Sequence, residues 1–195
     1  MKSEEVISYV SIAVIAISLF FIGTELTGFV TTYNDTAEVN VTIDASAGIS
    51  FTTAVLDFGA GSVTPGQSAV LDSFAGTGTY WSGAANTTEN LVLVNIGNEN
   101  LTLEIKTDKT AQEFIGGTGE AMEAKVSQTG EPGSCTTNQF ATYKAITTTL
   151  QSVCDTVFAI EEDNDEIEID FKLTIPSDAT VGTKTLTITA VGTGV

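Results

Sequence analysis

Between Val6 and Gly23 the chain carries no charged residue, and the apolar run continues past Thr24 and Glu25 through Leu26 to Phe29-Val30. A helix from Val6 to Val30, rising 1.5 Å per residue, reaches roughly 37 Å, slightly more than the hydrocarbon core of a bilayer. In lipid such a segment must be helical, because only then are its own backbone groups satisfied. Residues 1–30 are therefore expected to form a hydrophobic α-helix, a membrane anchor or filament core, with residues 31–195 as an extracellular domain. Lys2 and the α-amino group precede the helix, and the next basic residue is Lys106, a bias that puts the N-terminus inside. A cleaved secretory signal is the competing reading. No Ala-x-Ala site follows Gly23 directly, so the helix is expected to be retained, with Glu25 at headgroup level.

Charge narrows the function classes. A formal net charge of −18 comes from 25 acidic and 7 basic residues, and such a surface repels phosphate backbones, so nucleic acid is not an expected partner. The chain has no His, and all its basic residues are Lys. Neither a Ser-His or Cys-His pair nor a bidentate Arg clamp can be assembled, and the carboxylates lie at strand ends and turns. The chain is expected not to be an enzyme and to have no small-molecule substrate. Two cysteines, Cys135 and Cys154, are expected to form a disulfide that closes a loop of about 20 residues, contributing about 3 kcal/mol; zinc would lack nitrogen and sulfur ligands. The sequons at Asn34, Asn40, Asn86 and Asn100 all fall on the presumed outer side as N-glycosylation candidates. Glu161, Asp163 and Asp165 lie in an acidic run with the oxygen ligands Ca²⁺ uses. The run lacks the Gly and distal Glu of an EF-hand, so a solvated turn and no cofactor are expected, with Ca²⁺ as the minor alternative.

Beyond the helix the pattern is that of strands. Ala37–Ile43 alternates with period two, Ile49–Thr53 and Val55–Phe58 read as short strands, and Ala69–Phe74 resumes after the Pro65-Gly66 turn. Gly76–Asn90 reads as a loop carrying Tyr80 and Trp81. Leu91–Ile96 and Leu101–Ile105 predict a hairpin turning at Asn98-Glu99. Met122–Val126 is another strand, and Ala141–Val153 is open between a short helix and a strand. Ile167–Ile175 and Leu186–Ala190 predict a terminal hairpin. Eight to ten strands of this kind predict a mainly β fold, an antiparallel sandwich of immunoglobulin-like or jelly-roll type. With few Lys to block its edges, such a sandwich invites a neighbour's strand.

The hydrophobic N-terminal helix followed by a Thr-rich β domain, with Val39–Ile43, Asp57–Gly59 before Val63–Gly66, Val94–Asn98, and Ile175–Asp178 before Gly182, is similar in architecture to archaeal pilins, archaellins and related small surface proteins. Only Met1-Lys2-Ser3 precedes Glu4, where those families carry a basic, Gly-ended leader; Glu4 or Glu5 takes the place of the carboxylate near their helix start. The resemblance implies a structural subunit of an extracellular, pilus-like filament, with helices bundled inside and glycosylated β domains outside. Its expected partners are copies of itself and, through the helix, the membrane. A membrane-anchored monomeric surface protein for binding or adhesion is the alternative. Ser8, Ser11, Ala13, Ala16, Ser18 and Gly23, scattered among bulky residues, would let such helices approach closely.

Overall fold

The computed structural model describes residue 38 and residues 41–83, 89–128, 130–161 and 163–195. The chain divides into two units, Met1–Thr42 and Ile43–Val195. The expected helix over residues 1–30 lies outside the described residues.

The second unit is mainly β. Its strands are β1 (Ile49–Thr53), β2 (Gly61–Val63), β3 (Ser68–Asp72), β4 (Thr77–Thr79), β5 (Trp81–Gly83), β6 (Leu91–Asn95), β7 (Leu101–Thr107), β8 (Ala121–Ser127), β9 (Lys144–Ala145), β10 (Gln151–Phe158), β11 (Glu166–Pro176) and β12 (Ile188–Gly194). A single turn of helix, α1 (Ala111–Phe114), precedes β8. The larger sheet runs β1-β6-β11-β3-β4, with β8 on the other side of β11 and β9 beyond β8; a second sheet runs β10-β7-β12, and β2 pairs with β5. All pairings are antiparallel.

Alternation explains how the two main sheets meet. In β11, Ile167, Ile169, Phe171 and Leu173 turn to the same side and are buried with Leu91 and Leu93 of β6, Leu101, Leu103 and Ile105 of β7, and Val153, Cys154 and Phe158 of β10. Each such side chain contributes about 1.5–3 kcal/mol by leaving water, and this shared apolar layer makes the second unit a β-sandwich.

Several sequence-based expectations are corrected. β6 and β7 are not a hairpin: β6 belongs to the larger sheet and β7 to the smaller one, so the chain arches from one layer to the other. The same holds for β11 and β12, which were expected as a terminal hairpin. Period-two alternation identifies a strand and its buried face, and both members of an arch satisfy it as well as a hairpin does. Among the residues expected as a strand at 37–43, Glu38 and Val41–Ile43 form none, and Val55–Phe58 is also irregular. Gly76–Asn90 contains β4 and β5 instead of a plain loop. Ala141–Val153 is neither one helix nor one strand but holds the two-residue β9 and the start of β10.

Candidate functional site

Three features of the sandwich carry polar or covalent chemistry: a disulfide-closed flank, an end where the chain enters, and a charged outer face. On the flank, Cys135 and Cys154 are joined by a disulfide, as expected. The bridge ties residues 134–139 along the outer edge of β10. Thr136 N donates to Val157 O at 3.0 Å, Asp155 N to Thr137 O at 3.2 Å, Gln139 N to Val153 O at 2.8 Å and Ala159 N to Ser134 O at 2.9 Å. The segment then crosses to the other sheet, where Asn138 Nδ2 donates to Val126 O and Val126 N to Phe140 O, each at 2.8 Å. Both sulfurs and the Phe140 ring are buried, so this side of the core is sealed.

The entry end is organised by two asparagines. Asn95, buried at the end of β6, donates through Nδ2 to Glu99 O and Phe158 O, both at 3.1 Å, and accepts from Gly97 N at 3.0 Å. One side chain thereby turns the β6–β7 arch and holds the end of β10. Asn98 clamps the incoming chain: Ser46 N donates to its Oδ1 at 2.6 Å, its Nδ2 donates to Asp44 O at 2.9 Å, and its own N–H donates to Ser46 O at 3.0 Å. Exposed Ile96, Ile160 and the terminal Val195 belong to this same end, since Phe158 and Gly194 both pair with Leu101. Just before the clamp, Val41 is 82% and Ile43 79% exposed.

The outer face of the larger sheet holds the third feature. Along one edge of β11, β6 covers Glu166–Ile169 and β3 covers Lys172–Pro176. Ser73 fills the gap between them: its Oγ accepts from Phe171 N at 3.0 Å and donates to Asp170 Oδ1 at 2.8 Å, while Ser73 N donates to Phe171 O at 3.0 Å. Asp170 is only 2% exposed. Burial holds its carboxyl above the ordinary aspartate value, the Ser73 hydrogen bond opposing the shift. With Ser73, Phe74, Ala75, Gly76, Asn90 and Glu168, Asp170 lines a cleft of about 320 Å³. Around it Lys125 lies over the Phe74 ring, Lys172 pairs with Glu123 at 2.6 Å and sits over Tyr143, and the Tyr143 hydroxyl donates to Asp72. Burial first, and then Asp72, raises the Tyr143 phenol above its usual range. Ser73 Oγ is engaged on both sides in holding the fork of the sheet.

The acidic run forms a turn. Glu131 Oε2 accepts from Asp165 N at 2.8 Å and Glu166 N at 2.9 Å, and Asn164 N donates to Glu161 O. Burial, and next the Glu131 charge, raises the Glu166 carboxyl. Among the described residues, no group of three or more His, Cys, Asp or Glu could hold a metal ion, Glu161, Asp163 and Asp165 included. Of the four sequons, Asn100 is exposed immediately before β7, where its carbonyl accepts from Val195 N at 3.1 Å; Asn34, Asn40 and Asn86 lie outside the described residues. Sequence reasoning passed over Asn95, Asn98, Ser73 and Asp170. Asn95 did leave a signal, a polar residue at an inward position of an otherwise apolar strand. Compared with known proteins, the chain matches no family model, no curated protein and no solved structure.

Proposed function

We propose that the protein is a structural subunit of an extracellular, pilus-like filament, its N-terminal helix bundled with those of other copies and its acidic β domain outside. The observation that carries this reading is the entry end of the sandwich. There Asn98 holds the chain at Asp44 and Ser46, and exposed apolar residues gather at the same end: Ile43, Ile96, Ile160 and Val195. A domain that met only water would gain nothing from this arrangement, whereas a subunit delivered by its N-terminal segment uses it to meet its neighbours. Exposed Asn100 at that end is the proposed glycan site supported by position, and the sequence alone supports Asn34, Asn40 and Asn86.

The strand order supports an immunoglobulin-like sandwich over a jelly roll. In that fold strands A, B, E and D form one sheet and C, F and G the other. β1, β6, β11 and β8 take the places of A, B, E and D, and β7 and β12 those of C and F, with two parallel arches, β6 to β7 and β11 to β12.

The test separates assembly from simple anchoring. If the helices bundle, Ala13→Leu and Ala16→Leu overpack a close contact and abolish filaments, while membrane insertion is unchanged because Leu is at least as apolar. Filament yield is scored by electron microscopy beside the amount of membrane-inserted protein. Filaments at parental yield from both variants would refute helix bundling at these positions, and a parent protein that stays monomeric in the membrane would establish the anchored surface-protein alternative.

A further inference from the structure

The two flanks of the sandwich are finished differently. On one side, residues 134–139 hydrogen-bond along β10 and the disulfide holds them there. On the other side lies β12. Asp108 N donates to Thr187 O and Val195 N to Asn100 O, so the odd-numbered residues of this strand face β7. The amides and carbonyls of Ile188, Ala190, Gly192 and Gly194 therefore point away from the sheet. Among the described residues, no strand pairs with that edge. It carries no charge and no Pro to repel an incoming strand. The core behind it is incompletely covered as well. Ile49 and Phe51 of β1 and Ile188 and Ala190 of β12 are only partly buried, whereas Cys135, Phe140, Cys154 and Phe158 on the closed flank are sealed. In the immunoglobulin-like reading this is the position of strand G.

We infer that the outer edge of β12 accepts a strand from a second copy of this chain, the alternating stretch that ends at Ile43. This deepens the filament reading and rests on it. Val41 and Ile43 are the anchors: apolar, two residues apart and therefore on one face when extended, and exposed in the single chain. Docked beside β12, they cover the half-buried Ile49, Phe51, Ile188 and Ala190, while main-chain hydrogen bonds satisfy the free edge. A second copy is the occupant because of the clamp. Asp44 and Ser46 are held by Asn98 in line with β1, which starts at this end of the sandwich and runs inward from it. In the single chain Val41 and Ile43, just before the clamp, stay exposed, so the same residues of a second copy are the ones offered to the edge. Each subunit then donates to the next, a head-to-tail contact that propagates into a filament.

Two full-length variants break the two halves of this contact. Ala190→Pro removes an outward N–H and spares the β7 ladder. Val41→Asp with Ile43→Asp places charges on residues that the single domain leaves in solvent, so its fold is untouched. The parent is expected to form filaments in electron micrographs and large species in sedimentation; each variant is expected to stop at single subunits. An equimolar mixture of the two variants should give dimers and nothing larger, because one intact donor meets one intact acceptor and no free pair remains. Both variants forming filaments like the parent would overturn strand donation and leave the filament reading standing. A parent that is monomeric at every concentration would overturn both. Loss of thermal stability in the double-Asp variant at unchanged monomer size would show that the stretch pairs within its own chain, and would overturn the second copy as occupant.

Discussion

Reducing the Cys135–Cys154 bridge tests how the closed flank is held. The bridge spans 19 positions, and cross-linking a loop of about 20 residues removes roughly 11 cal/mol/K of unfolded-chain entropy, or about 3.3 kcal/mol at room temperature. That is a large share of the ~5–15 kcal/mol expected for a domain. The native flank should survive reduction, because its ladder to β10 and the buried Phe140 remain. The loss then appears as a shifted midpoint at constant slope. With an m-value of about 2 kcal/mol/M, the urea midpoint of the reduced protein falls by about 1.6 M relative to the oxidised form. Equilibrium unfolding followed by circular dichroism, with and without a phosphine reductant, measures it. A difference below about 1 kcal/mol would refute the loop-entropy reasoning, and a changed m-value would show that the native flank itself opens on reduction.

Asn95→Ala leaves the buried Phe158 O and the part-buried Glu99 O without their donor and is expected to cost about 3 kcal/mol, read by urea denaturation. Thr110→Ala breaks the capping box with Glu113 at the start of α1 and should cost about 1 kcal/mol in the same assay. Phe140→Ala, opening a cavity at a fully buried ring, should cost about 3–5 kcal/mol. Asp170→Asn probes pH dependence. Burial raises the native carboxyl above the ordinary 3.8, so the folded protein binds the proton more tightly than the unfolded chain, and the parent loses stability as pH rises from about 4 through the native value. The variant lacks that loss, so its stability relative to the parent should climb across this window and then level off; a difference independent of pH would refute it.

Most strands were legible because alternation over Ile49–Thr53, Leu91–Asn95, Leu101–Thr107, Ala121–Ser127 and Glu166–Pro176 encodes burial on one face. Their partners were not, because an arch and a hairpin make the same local demand. The β6–β7 choice is made by Asn95 reaching the Phe158 carbonyl, 63 residues away, and no local pattern records such a contact. The disulfide was legible from the even pair of cysteines in a chain expected to be exported. Val55–Phe58 misled because Leu56 and Phe58 do pack on the core, but from an irregular segment. Asp170 was invisible for the opposite reason: it alternates outward with Glu168 and Lys172, as a solvated residue would, and is buried only because Ser73 and the loop after β3 fold over it.

The filament reading is tested most directly by electron microscopy of appendages sheared from cells that make the full chain, with three-dimensional reconstruction. The expected filaments have residues 1–30 as a helical bundle on the axis, Ile43–Val195 outside, and the Val41–Ile43 stretch of a neighbouring copy on each β12 edge. A cell surface without filaments, with the protein recovered only as membrane-bound monomers, would contradict it.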